Sequence, residues 1–183
     1  MKEPLAYRMS PRSIEEYEGQ EHILAEGKLL YRMIKADRFS SVIFFGPPGT
    51  GKTTAAAIIA KQSGMVFRRL NCTSASLNDV KQVLAETANV FGAGGILLYL
   101  DEIQYFNRKQ QQSLLEYIED GRVTLIASTT ENPHFYVYNA ILSRSTIFEF
   151  KQIDASAALK AVKRAVSFME ARTGLTAAPE QGA

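Results

Sequence analysis

Three stretches of this chain are almost wholly apolar at consecutive positions: Val42 to Phe45 (VIFF), Ile96 to Leu100 (ILLYL) and Val123 to Ser128 (VTLIAS). Short runs of this kind predict strands buried on both faces, since a half-exposed strand would alternate. Met65 to Leu70 and Thr146 to Phe150 read as two further strands. Between the strands, apolar residues recur at helical spacing. Glu26 to Asp37 is predicted as a helix with Leu29, Leu30, Met33 and Ile34 in one stripe, and Arg38 to Ser41 as a turn. A second helix begins near Lys52, runs through Ala55 to Gln62 and closes at Gly64. Ser76-x-x-Asp79 opens a third, carrying Val80, Val83, Leu84 and Phe91 and broken by Gly92, Gly94 and Gly95. Asn107 to Asp120 is predicted as one helix with Leu114, Leu115 and Ile118 inside, and Asn139 to Leu142 as a short one. Strands alternating with helices imply an α/β domain with a mostly parallel sheet.

The two ends of the chain differ from this middle. Residues 1–25 read as an extended lead-in, because Pro4 and Pro11 hold their predecessors out of helix. Ser13 and Glu16 suggest a capping box over a short turn that ends at Gly19. Leu5, Tyr7, Ile14, Tyr17 and Ile23 are expected to pack on the main domain and wall a flat pocket. Asp154 to Arg172 is an amphipathic helix with Leu159, Val162, Val166 and Met169 on one side, capped by Gly174. One helix cannot form a core, so it either docks on the sheet domain or begins a further unit. The tail, 175–183, carries no pattern and is expected to fray.

The loop after the first strand holds the strongest chemical signal. Gly46-Pro47-Pro48-Gly49-Thr50-Gly51-Lys52-Thr53, followed by Thr54, fills every position of G-x-x-x-x-G-K-[ST] between a predicted strand and a predicted helix. Gly49 and Gly51 allow backbone conformations that a Cβ forbids. Backbone N–H groups can then cradle phosphate oxygens, with the positive end of the helix aimed at the same place. Lys52 reaches the β- and γ-phosphates of ATP, and the Thr53 hydroxyl can ligand Mg²⁺.

In a parallel sheet, sites lie at the carboxyl ends of the strands. Asp101-Glu102 and Thr129-Thr130 both follow strands directly, so they converge with the phosphate loop on one edge. Asp101 is placed to hold Mg²⁺ through its water shell, and Glu102 to polarise the attacking water. One of Thr129 and Thr130 can bond the γ-phosphate or that water; plain turn chemistry before Asn132-Pro133 is the alternative. Arg144 suits the stabilisation of transition-state charge in its own chain or a neighbour's, against the bland reading of a surface arginine. His22 and His134 have no second ligand at metal spacing. Arg108-Lys109 and Lys160-Lys163-Arg164 read as solvated helix faces, with DNA phosphate contact the minority reading.

Composition adds bounds rather than chemistry. The net charge of +2 over 183 residues permits nucleic-acid binding without establishing it. The only cysteine, Cys72, excludes an intrachain disulfide and reads as a small half-buried residue after a strand. No apolar run approaches the ~20 residues that span a membrane, and MKEPLAYRMSPRS has no signal core. A cytoplasmic protein is expected.

Taken together, GPPGTGKTT, ILLYLDEI, IASTTENP and AILSRS resemble the AAA+ ATPases, and YRMSPRSIEEYEGQEHIL resembles the lead-in of their clamp-loader branch. LEYIEDG and ENP bring the resemblance, from Pro4 to Ile153, close to the bacterial replication-associated recombination protein A family and its relative, the Werner-helicase-interacting ATPase. The resemblance implies a P-loop NTPase fold: an AAA+ core at 26–153 with a parallel five-stranded sheet, a nucleotide-pocket lead-in at 1–25, and the first helix of a truncated lid at 154–174. It implies an oligomeric, DNA-stimulated ATPase at stalled or gapped replication forks, associated with the nucleoid. Lys52 and Thr53 then belong to Walker A, Asp101 and Glu102 to Walker B, and Thr130 is sensor 1. Arg144 becomes an arginine finger offered to the adjacent subunit, while Gly19, Gln20 and Ile23 lie near the adenine. Single-stranded, gapped or forked DNA, single-stranded DNA-binding protein and replisome components are the implied partners. Where the family reads D-E-V-H-R-F, this chain has Gln104-Tyr105 in place of histidine and arginine. A nucleotide-binding switch with little turnover is the competing reading. A protein unfoldase is disfavoured because Asn71-Cys72-Thr73-Ser74-Ala75 has no aromatic residue. A branch-migration motor is disfavoured because Gly121 to Val123 leaves no room for a hairpin.

Overall fold

The strands form one sheet in the order β2-β3-β4-β1-β5, every pairing parallel. They are β1 (Val42–Phe45), β2 (Val66–Asn71), β3 (Ile96–Asp101), β4 (Val123–Thr129) and β5 (Thr146–Glu149). This computed structural model describes residues 8–36, 39–86 and 95–174. The expectations for Pro4, Leu5, Tyr7, Asp37, Arg38, Phe91, Gly92, Gly94 and the tail 175–183 lie outside the described residues.

The two-faced burial expected of consecutive apolar runs is present. Phe44, Leu97, Tyr99, Ile126 and Phe148 pack on one face of the sheet with Leu30 and Ile59. Their strand neighbours Ile43, Leu98, Leu100, Leu125 and Ala127 pack on the other with Leu84, Leu114 and Ile141. The register pairs Phe45 with Thr129 and Glu149, and Asn71 with Asp101. The carboxyl ends therefore finish level, and every loop that follows a strand opens on one edge.

The helices around the sheet are, in chain order, α1 (Glu21–Leu24), α2 (Leu29–Lys35), α3 (Lys52–Ser63), α4 (Leu77–Glu86), α5 (Arg108–Gln112), α6 (Leu115–Glu119), α7 (Pro133–Tyr136), α8 (Asn139–Leu142) and the long α9 (Ala155–Thr173). The helix predicted to start at Glu26 starts at Leu29, because Gly27 sits at φ 82° and Lys28 is extended. Asn107 to Asp120 is not one helix. Ser113 Oγ donates to Gln110 O at 2.7 Å, and this back-bond accompanies a turn at Ser113 and Leu114 that separates α5 from α6. The cap at Ser76 forms as expected, with Ser76 N and Oγ both donating to Asp79 Oδ2 at 2.7 Å. The one at Ser13 does not: Glu16 instead accepts from Arg12 N at 2.9 Å. Of the two short helices before β5, only α8 was expected.

The long helix α9 is opened by Asp154, whose side chain accepts from Ala157 N at 2.8 Å, and closed by Gly174 at φ 68°. Its apolar stripe does not dock. Leu159, Val162, Val166 and Met169 are 53, 57, 36 and 41% exposed. The helix lies on the lead-in through Ala157, which is buried beside Gly19, and Arg164, which donates to Glu16 O at 2.8 Å and Met9 O at 3.1 Å. No described helix is long and apolar enough to cross a membrane.

Candidate nucleotide site

The loop from Gly46 to Thr53 runs from the end of β1 into the amino terminus of α3. Two of its glycines are required by contact as well as torsion. Gly46, at φ 140°, lies against the Phe150 carbonyl, and Gly51, at φ 92°, lies under the Tyr17 hydroxyl; a Cβ at either would collide. Lys52 is 7% exposed, and its Nζ donates to Gly46 O at 2.7 Å and Pro47 O at 2.8 Å. Burial lowers its pKa, against the opposing pull of Glu102 and Asp101. Pro47, Pro48 and Gly49 are exposed, whereas Thr50 is buried with Oγ1 donating to Pro47 O at 2.9 Å. The loop is thus already folded, with its lysine held in reserve on backbone carbonyls.

Asp101 and Glu102 end β3 in different environments. Asp101 Oδ2 accepts from the Arg69 guanidinium at 2.5 Å, and Oδ1 accepts from Ser128 Oγ at 2.9 Å. Glu102 is the one non-glycine residue at positive φ among the described residues, at 59°. Such backbone strain, of order 1–3 kcal/mol, persists where the surroundings enforce it and is concentrated at functional sites. Here Glu102 Oε2 accepts from Gln104 Nε2 at 2.7 Å and from Thr130 N and Oγ1, both at 3.3 Å. Thr129 is fully buried, so Thr130 is the threonine that faces the site. Lys52, Thr53, Asp101, Glu102 and Thr130 are brought to one sheet edge, as expected from their positions after strands.

The lead-in supplies a second wall. A cleft of about 380 Å³ lies between Tyr17, Glu18, Thr50, Gly51 and Thr54 on one side and Ile153, Ala157 and Arg164 on the other. Gln20 supports it from beneath. It is 1% exposed, donates through Nε2 to Lys151 O at 2.7 Å and accepts from Lys151 N at 3.0 Å. Gly19 packs on Ile153 and Ala157. Ile23 lies in the core at 9% exposure and does not line the cleft. His22 is bound to the Glu149 carbonyl at 2.8 Å. Gln20→Ala leaves both backbone groups of Lys151 unpaired and is expected to destabilise the fold by about 1–3 kcal/mol, measured by urea denaturation.

Arg144 is elsewhere. It follows α8 at the amino end of β5, pairs with Glu119 at 2.5 Å and donates to Ala140 O at 2.9 Å. It shares a cavity with Ser41, Val123 and Thr124, which mark the amino ends of β1 and β4. The phosphate loop leaves the other end of β1, roughly 13 Å away at 3.3 Å per residue. The fold does not bring Arg144 to its own chain's phosphate loop.

Tyr17, expected to wall a flat pocket, lines the cleft, whereas Arg164, read as part of a solvated face, donates to the lead-in backbone. Arg69, Tyr99 and Ser128 were not singled out from sequence. Only Tyr99 left a trace, as the single hydroxyl inside ILLYL.

Residues 42–153 match the ATPase family associated with various cellular activities (AAA). The chain belongs to this AAA family. Replication-associated recombination protein A of Coxiella burnetii is 39% identical over 171 residues, covering 93% of this chain and 39% of that protein. The protein of the same name from Escherichia coli K12 is 40% identical over 152 residues, covering 82% of this chain and 34% of that protein. The AAA chain thus spans well under half the length of these relatives. Its fold is similar to RuvB of Thermotoga maritima, a Holliday junction branch migration motor, with a TM-score of 0.72 at 26% identity over 88% of this chain and 55% of that one. Between α6 and β4 only residues 120–122 intervene, so this AAA domain has no hairpin there. The AAA fold is that of an ATPase, and nucleotide binding is its common property.

Proposed function

We propose that this chain is the ATP-hydrolysing motor domain of a DNA-dependent ATPase acting in replication-fork maintenance, recombination and repair. The observation that carries the reading is the single sheet edge shared by the phosphate loop, Asp101, Glu102 and Thr130. The similarity to replication-associated recombination proteins supports the DNA setting.

The cleft beside Thr50, Gly51 and Thr54 takes the base and ribose, and the loop N–H groups of 46–53 take the phosphates. Lys52 exchanges its two carbonyl partners for phosphate oxygens. Thr53 and Asp101 present hard oxygen donors, a hydroxyl and a carboxylate, that fit Mg²⁺, an ion that keeps several waters and shares phosphate ligands. When bound, Mg²⁺ neutralises charge on the β- and γ-phosphates. Glu102 orients and deprotonates the attacking water, and Thr130 fixes Glu102 and senses the γ-phosphate. Arg144, at the far edge, serves the ATP of an adjacent copy. Forked or gapped DNA, single-stranded DNA-binding protein and replisome components are the proposed partners, in the cytoplasm at the nucleoid.

The test is ATP turnover by this chain with and without gapped DNA. Turnover that gapped DNA raises supports the motor reading. ATP binding without turnover would favour a nucleotide-binding switch instead.

A further inference from the structure

One buried hydroxyl joins three of the elements that meet at the phosphate loop. Tyr99 is 0% exposed and lies two residues before Asp101 on β3, so both side chains fall on the same face. Its ring is stacked on Phe67 at 6.4 Å, with the Arg69 guanidinium 5.8 Å from its centre. Its hydroxyl lies 3.0 Å from Thr53 Oγ1, 2.9 Å from Ser128 Oγ and 3.3 Å from Asp101 Oδ1. Ser128 Oγ in turn lies 2.9 Å from Asp101 Oδ1. The threonine is on α3, the tyrosine and aspartate on β3 and the serine on β4.

Proton bookkeeping gives this network a direction. An ionised carboxylate only accepts, and Ser128, with Asp101 Oδ1 at 2.9 Å and Leu100 O at 3.4 Å, gives its single proton to the nearer, charged acceptor. Ser128 then accepts from Tyr99, which has one proton and spends it there, with Asp101 Oδ1 as the longer alternative. Either way the Tyr99 oxygen is left to accept, and the Thr53 hydroxyl is the donor that reaches it. The proton of Thr53 therefore points inward, away from the phosphate loop. Its lone pairs are left facing the loop, which is the orientation a hydroxyl needs to ligate a cation.

We propose that Tyr99 is a positioning residue for the metal: by accepting the Thr53 proton it presets the Thr53 oxygen as a ligand and ties it to Asp101. The inference rests on the reading that Thr53 and Asp101 hold Mg²⁺.

The test is the affinity of a fluorescent ATP analogue, measured with Mg²⁺ and with EDTA, for the unsubstituted chain, Tyr99→Phe, Thr53→Ala and the double variant. Partners of metal ligands typically contribute 10–100-fold to metal affinity. In Tyr99→Phe the gain in affinity conferred by Mg²⁺ is expected to fall about 10-fold, with affinity in EDTA unchanged. On the Thr53→Ala background, Tyr99→Phe is expected to add nothing. Equal losses in Mg²⁺ and EDTA, or additive losses in the double variant, would overturn the proposal while leaving the metal reading intact. No Mg²⁺ gain in the unsubstituted chain would overturn both. Should Tyr99→Phe fail to fold, the Thr53 hydroxyl proton of the unsubstituted chain is observed by NMR: contact with the Tyr99 ring is expected, and a proton bonded anywhere but to the Tyr99 oxygen would equally overturn the proposal.

Discussion

Arg144→Ala is expected to lower ATP turnover by about 10³-fold or more, within the range contributed by arginines that stabilise transferring phosphoryl groups. The side chain lies on the edge of the sheet opposite the phosphate loop, so its removal leaves its own chain's pocket unchanged. ATP affinity should therefore stay within about twofold while turnover is lost. Stability should also hold. Arg144 and Glu119 are 42 and 49% exposed, and an exposed pair of this kind is worth about 0–1 kcal/mol. The trans arrangement adds a signature that a structural arginine would lack. A mixture of Arg144→Ala and Glu102→Gln chains should recover turnover, because the first still supplies Glu102 and the second still supplies Arg144. Steady-state turnover of the mixture, beside each variant alone, is the measurement. No recovery would mean that Arg144 does not act on a neighbour.

Glu102→Gln is expected to lower turnover by about 10²–10⁴-fold, the usual contribution of a positioned general base, with ATP still bound. The variant keeps the shape of the side chain and loses only its basicity. Its backbone, at φ 59°, is held by the same strand end. The carboxylate of the native residue is already gathered by Gln104 and Thr130, so the amide can occupy the same place with one changed partner. Equilibrium binding of labelled ATP, beside a single-turnover assay, separates the two effects. Turnover that survives the substitution would remove Glu102 from the role of base and transfer the question to Thr130.

The two experiments test different levels of the molecule. Glu102 and Thr130 are neighbours because β3 and β4 pair in register and end together. Arg144 matters only if two copies meet. A further variant, Gln20→Ala, touches neither and reports the lead-in's grip on Lys151.

Much of this site was legible in the chain itself. The phosphate loop is contiguous, and its glycines carry their torsional meaning wherever they occur. Asp101-Glu102 and Thr130 were legible because each directly follows an apolar run, and parallel strands end on one edge. The parallel sheet followed from runs buried on both faces. What failed was of another kind. The helix over Asn107 to Asp120 shows a helical period throughout, yet Ser113 competes for a backbone carbonyl and a turn separates two shorter helices. The stripe on the long helix, for which docking on the sheet was one of two expected fates, stays largely exposed, and Ala157 and Arg164 make the contact with the lead-in. Ile23 was expected beside the cleft and lies in the core.

The fold class, the phosphate loop and the order of polar clusters along one sheet edge were thus written in the chain alone. These depend on torsional preference and on periods of two and 3.6 residues, which are properties of a few neighbouring positions. Everything else came from packing in three dimensions. It paired Gln20 with Lys151 across 131 positions, joined Thr53 to Asp101 through Tyr99 and Ser128, and put Arg144 on the far edge from its own phosphate loop. The reason is that a hydrogen bond between distant positions is set by strand register and close packing, and neither is written in any short stretch of chain.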